Sequence, residues 1–111
     1  MKALIREVAH VNRVANLSDA DIARATGTAP STVRAWLSES RSPSGERAER
    51  LIELSALVER LEPLMDANYI APWLREPIAA LDDKRPLDLI GRGDYRAVAA
   101  AISSLEDPPA V

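Results

Sequence analysis

Few side chains in this sequence could do covalent or acid–base chemistry. His10 is the single histidine and cysteine is absent. A His-based dyad, a multi-His metal site, a zinc finger, an Fe–S cluster or a thiol nucleophile therefore cannot be assembled within one chain. Asp82, Asp83 and Asp88 are close enough in sequence to suggest a metal or acid–base cluster, yet Lys84 and Arg85 stand among them. That mixture fits solvated, capping or ion-paired carboxylates better. Arg92-Gly93-Asp94 spells a tripeptide known from cell-adhesion ligands, but a glycine turn followed by an aspartate N-cap accounts for it. Neither a phosphate-cradling glycine loop nor a nucleophile elbow is present. The expectation is a protein with no enzymatic activity, no cofactor and no metal.

Recognition chemistry would have to be positioned by helices. Ala and Leu, which head the helix-propensity ranking, number 19 and 13 against 17 β-branched residues, and Phe is absent. Leu4, Ile5, Val8 and Val11 give residues 2–14 an apolar stripe, and Asn16 ends that helix. Ser18 followed three residues later by Asp21 reads as an N-cap with an acidic first turn. Gly27 stops this second, short helix, and Pro30 opens a third that runs to about Glu39. The polar stretch 40–45 (SRSPSG) is the one clear linker, so we place the module boundary between residues 1–43 and 44–111. A long helix from Glu46 to about Glu62 has a stripe wide enough to pack on both modules. Asp66 caps a helix carrying Ile70, Trp73, Leu74, Ile78 and Leu81 that Pro72 and Pro77 break into pieces. Asp82 to Arg85 form a charged loop closed by Pro86, and Leu87, Leu89 and Ile90 an apolar turn stopping at Gly91. Asp94 caps a last helix with Tyr95, Val98 and Ile102 on one face. No strand pattern and no repeat emerge.

The bulk properties agree with a small globular protein. The chain has 111 residues, 47% of them hydrophobic and 28% charged, so it can bury roughly two thirds of its unfolded surface but has no material for a deep catalytic cavity. No stretch approaches the ~18 apolar residues of a membrane span, and charge comes too early for a signal peptide, so the expected setting is cytoplasmic with no membrane partner. The net charge of −3 hides a gradient. Residues 1–45 hold six basic and four acidic residues, residues 46–111 eight and thirteen. The two parts are expected to face different partners.

The spacings in residues 17–38 (LSDADIARATGTAPSTVRAWLS) are those of two short helices crossing about a tight turn. Ala23 is small where the helices come closest, Gly27 makes the turn, and Val33 and Trp36 point back into a shared core beside Ile22 and Leu37. This resembles the helix-turn-helix of Xre-type bacterial repressors, whose second helix enters the major groove. The resemblance implies operator double-stranded DNA as a partner and Thr28, Ser31, Thr32, Arg34 and Ser38 as DNA-binding residues, with Ala35 also on the outward face. Arg34 is the side chain able to reach guanine with two hydrogen bonds. Lys2, Arg6, Arg24 and Arg41 would contact the phosphate backbone. Ala29 is a poor N-cap for the reading helix. Trp36 could stack on single strands, but its spacing favours the core, and a plain three-helix packing motif remains the alternative to DNA binding.

The second half contains, in order, APWLREPIAAL, RPLDLI and GDYRAVAAAI. Trp73, Leu74, Pro77, Leu81, Arg85 to Leu89 and Gly93 at this spacing resemble the toxin-binding domain of the Xre/MbcA/ParS antitoxin family, which follows a repressor-like helix-turn-helix in one small chain. Ala79 departs from that pattern. The resemblance covers almost the full length and implies an all-α fold with an N-terminal Xre-like module followed by a small helical toxin-binding domain. It also implies a partner, a RES-domain toxin that degrades NAD; a single small reading helix needs two half-sites for useful specificity, so a homodimer within a hetero-oligomeric toxin–antitoxin complex is expected. In this family the C-terminal end blocks the toxin's active-site entrance, which points to Ser103, Ser104, Leu105, Glu106, Asp107, Pro108, Pro109, Ala110 and Val111. Without the resemblance, that segment reads as a frayed terminus. Two alternatives to an autorepressing antitoxin stay open: an inhibitory scaffold without DNA binding, and a plain helix-turn-helix repressor.

Overall fold

The computed structural model describes residues 2–108, apart from the side chains of Lys2, Ala3 and Ile5. Seven α-helices follow one another among these residues: α1 (Lys2–Val14), α2 (Asp19–Thr26), α3 (Pro30–Leu37), α4 (Gly45–Leu61), α5 (Ala67–Arg75), α6 (Pro86–Gly91) and α7 (Tyr95–Glu106). A single 3-10 turn, Ala79–Leu81, lies between α5 and α6.

The helix starts follow local chemistry. Ser18 and Asp21 form a reciprocal capping box at α2, with the Asp21 N–H donating to Ser18 Oγ (3.1 Å) and the Ser18 N–H to Asp21 Oδ2 (2.9 Å). Asp66 accepts from the Asn68 N–H at α5 and Asp94 from the Ala97 N–H at α7. Gly27, in the left-handed conformation (φ 71°), closes α2. α3 ends at Leu37 rather than at Glu39, because Glu39 itself is left-handed (φ 63°) and the Ser38 and Ser40 hydroxyls both donate to the Ala35 carbonyl.

The stretch after Asp66 differs most from the sequence expectation. Pro72 does not break α5. The carbonyl it leaves without an N–H partner is that of Asn68, and both residues are exposed, so water can serve it. Pro77 does end the helix, by holding Glu76 extended (ψ 147°). Ile78 and Leu81 therefore leave the helix: Ile78 pairs with Lys84 in an isolated antiparallel bridge, and Leu81 sits in the 3-10 turn. Asp82 and Asp83, both left-handed, turn the chain between them.

A single hydrophobic cluster runs from Val8 of α1 to Ile102 of α7, with Trp36, Leu51, Leu54, Leu57, Leu61, Leu74, Leu87 and Ile90 at its centre. α4 is its axis, packing on α1 and α2 on one side and on α6 and α7 on the other. Even Pro43, inside the polar linker, is buried.

α2 and α6 cross with their backbones in close approach. A Cβ built on Gly91 would lie 2.4 Å from the Arg24 backbone carbonyl oxygen, and a rigid backbone cannot yield to it. Helix propensity alone says that Gly91→Ala should stabilise by up to ~1 kcal/mol. The crossing predicts the opposite sign, a loss of ~1–3 kcal/mol from overpacking, readable as a lower midpoint in thermal or urea unfolding.

Candidate functional site

α2, the Gly27 turn and α3 present the expected reading surface. Ser31, Arg34 and Ser38 recur at helical spacing on the exposed side of α3, with Thr28 and Thr32 partly buried beside them. The N-terminus of α3 has no side-chain cap, since Ala29 stands at the N-cap and Pro30 follows. Its first-turn amide ends and the Ser31 and Thr32 hydroxyls thus sit together at the positive end of a helix dipole. Arg34 reaches outward with its side chain 62% exposed, and its Nη1 lies 3.9 Å from the Asp19 carboxylate at the start of α2. The Ser38 hydroxyl is already committed to the Ala35 carbonyl at 3.2 Å. Trp36 is 2% exposed, so it is a core residue and offers no face to a base.

The residues expected at the DNA backbone are dispersed. Arg24 pairs with Asp88 of α6 at 3.4 Å. Arg41 is exposed in the linker, and Arg6 lines a cleft of about 340 Å³ between α1 and α4 with Glu7, His10, Arg13, Ser55 and Glu59. Ser55 donates to the Glu7 carboxylate there, and His10 approaches Glu62 at 3.4 Å. The Lys2 side chain lies outside the described residues. Asp88 sits between Arg24 and Arg85 (3.9 Å).

Sequence reasoning missed the interaction that sets α2 in place. The Arg75 side chain of α5 meets Asp21 with two nitrogens, Nε at 2.9 Å from Oδ1 and Nη2 at 2.5 Å from Oδ2. Asp21 is 8% exposed. Burial alone would raise its carboxyl, but the hydrogen bonds from Arg75 and Ser18 outweigh that and hold it below the usual aspartate range. Arg75 is raised in turn, chiefly by its hydrogen bonds to Asp21. The two residues are 54 apart, and no local spacing signals such a pair.

At the other end of the molecule, much of the expected toxin-binding segment is helix. Ser103 accepts from Arg60 Nη2 (3.0 Å), Ser104 donates to the Ala100 carbonyl, and Glu106 accepts from Arg60 Nη2 (2.6 Å) and Nε (3.3 Å). The hydrogen bonds from Arg60 lower the Glu106 carboxyl. Leu105 is 44% exposed. Asp107 closes α7 and Pro108 is exposed, while Pro109, Ala110 and Val111 lie outside the described residues.

Comparison with known proteins finds relatives over most of the chain. A helix-turn-helix family matches residues 13–54. The probable mycobacterial cidal antitoxin Rv3188 of Mycobacterium tuberculosis is 30% identical over 91 residues, covering 82% of this chain and 77% of that one. The chain belongs to the MbcA antitoxin family. The mycobacterial cidal antitoxin MbcA of Mycobacterium tuberculosis is 27% identical over 78 residues, 70% of this chain and 69% of MbcA. The fold also matches a chain in the crystal structure of the M. tuberculosis MbcT–MbcA toxin–antitoxin complex, with a TM-score of 0.85 over 100% of both chains at 22% identity. The all-α architecture and the Xre-like helix-turn-helix agree with this family, and these relatives are named as antitoxins. No helix among the described residues is long and apolar enough to cross a membrane.

In this MbcA-family chain, Asp21 has a predictable pH signature. Because its folded carboxyl is depressed, its contribution is complete above the unfolded aspartate value of ~3.9 and is lost as pH falls through the lower folded value. Asp21→Asn should cost ~1–3 kcal/mol at neutral pH, toward the lower end because the Arg75 side chain is 42% exposed and can rehydrate. Urea denaturation of both proteins should show a constant gap from pH 7 to about pH 5 that closes below about pH 4.

Proposed function

We propose that this chain is the antitoxin of a type II toxin–antitoxin pair and that its two ends have separate partners. The C-terminal half binds a RES-domain toxin that degrades NAD, and the segment from Ser103 to Val111 covers that enzyme's active-site entrance. The helix-turn-helix represses the operon by binding operator DNA. The observation that carries this reading is family membership on a chain whose helix-turn-helix keeps an exposed α3 with Ser31, Thr32 and Arg34 on its outer side. The MbcA relative assembles with the toxin MbcT, which supports a toxin partner here.

The geometry favours both roles. Arg60 holds Ser103 and Glu106, so the last turn of α7 and Asp107 that closes it are held at a fixed point beside the exposed Leu105. A fixed exit reduces the ordering cost of docking a short segment into a cleft. On the DNA side, one eight-residue reading helix covers few base pairs. Useful specificity then calls for two half-sites about one helical turn apart, and so for a homodimer within the toxin complex.

Two experiments test the two ends separately. In a gel-shift assay with the chain's own upstream duplex, Arg34→Ala should lose about 1–3 kcal/mol of specific affinity while retaining non-specific binding; unchanged specific binding removes Arg34 from its role. In co-expression with the product of the adjacent reading frame, a truncation ending at Ser103 should no longer protect growth. Full neutralisation by the truncated chain refutes the covering role of the tail.

A further inference from the structure

A second arginine group lies one residue from the reading surface. The cleft, of about 360 Å³, is walled by Thr26 at the end of α2 and Gly27 of the turn, by the start of α4, and by Gly91 at the end of α6 and Arg92 after it. Thr28, the first residue of the reading surface, follows Gly27 directly. Three arginines enter this cleft, Arg47 and Arg50 from α4 and Arg92 from the α6–α7 turn.

Their environments differ in a way that assigns them different work. Arg50 is only 19% exposed, and its Nη1 donates to Glu53 at 3.1 Å with Glu49 at 3.9 Å, so its charge is already met. Its guanidinium lies against Gly93: a Cβ there would come within 2.8 Å of Nη2, and Gly93 has φ 87°. Arg50 therefore lies against the turn that carries Arg92, and the left-handed φ of Gly93 accounts for the glycine there. Arg47 and Arg92 are exposed, and among the described residues neither is ion-paired. The opposing charge in the cleft is Glu46, in the first turn of α4, where it complements the helix dipole. Two unpaired guanidiniums facing one carboxylate, beside a helix-turn-helix turn, suit a phosphodiester group.

We propose that Arg47 and Arg92 form a clamp for one DNA backbone phosphate next to the groove that α3 reads, a clamp that the helix-turn-helix cannot complete alone. The helix-turn-helix match spans residues 13–54, which takes in Arg47 but leaves out Arg92. The toxin-binding half thereby supplies a DNA contact of its own, carried on the turn that leads into α7. This inference rests on the DNA-binding reading given above.

The test is the salt dependence of binding to the chain's own upstream duplex, with a duplex of unrelated sequence beside it. Arg92→Gln and Arg47→Gln should each weaken both duplexes and together flatten the log affinity against log salt line by about 0.9, the share of the one phosphate they hold. Glu46→Gln should strengthen binding, and Arg13→Gln, an exposed arginine of α1, should change nothing. An unchanged slope in the double variant, with Arg34→Ala still losing sequence preference, overturns the clamp and leaves the reading surface standing. Loss of toxin binding by Arg92→Gln with DNA binding intact also overturns it, assigning the cleft to the protein interface. If the wild-type chain retards neither duplex at low salt, the DNA-binding reading falls and the clamp with it.

Discussion

The carboxylate of Asp21 is shared between a local and a distant demand. Locally it accepts the Ser18 N–H and so fixes where α2 begins. At long range it takes the fork of Arg75 from α5, so the start of α2 is bound to a helix from the other half of the chain. A nearly buried carboxylate is tolerated only because its lone pairs are filled by charge-assisted donors. Since only the three residues Gly27 to Ala29 join α2 to α3, the direction of the reading helix depends on this anchorage. Arg24–Asp88 and the backbone approach at Gly91 repeat the tie farther along α2. The pair is buried on the Asp21 side and open to water on the Arg75 side, and its two-nitrogen geometry fixes how α2 meets α5.

Around that anchorage the two ends are organised differently. At the front, polar groups are left exposed and lightly partnered: Arg34 is held only loosely by Asp19, and Ser31 and Thr32 lie at an uncapped helix start. At the back, the last turn of α7 is tied to α4 by Arg60 before the chain leaves it. Loose side chains on a firm helix suit adaptation to base edges and phosphates, whereas a fixed exit point suits delivery of a short segment into a cleft. α4 connects the two, because it packs on helices of both.

Much of this was legible in the sequence where the physics is short-range. Ser18 with Asp21, Asp66, Gly27 and Asp94 announce helix ends through bonds spanning two to four residues, and each stands where its spacing places it. The apolar stripe of α4 also marks its role as the axis. Proline was harder, because its effect depends on exposure: Pro72 is harmless on a wet helix surface, while Pro77 sends Ile78 into a bridge with Lys84. What stayed hidden is long-range pairing. Asp21–Arg75, Ser55–Glu7 and Arg60–Glu106 join residues 54, 48 and 46 apart, and nothing in the local sequence of either partner points to the other. Gly91 was read as a helix stop, since nothing nearby reveals that Arg24 lies against it. For the site, the residue types of α3 were readable, but the commitment of Ser38 to its own backbone and of Arg24 to Asp88 was not.

The backbone approach at Gly91 has an evolutionary corollary. A recognition module that rested on its own few helices could be traded between genes like a cassette, with the short linker at residues 40–44 as the natural seam. Here a graft at that seam would set a foreign second helix against Gly91, Arg75 and Asp88 at once. Homologous exchange should therefore preserve the two halves as a matched pair, so that new operator preferences arise by drift of the outward residues of α3 rather than by recombination.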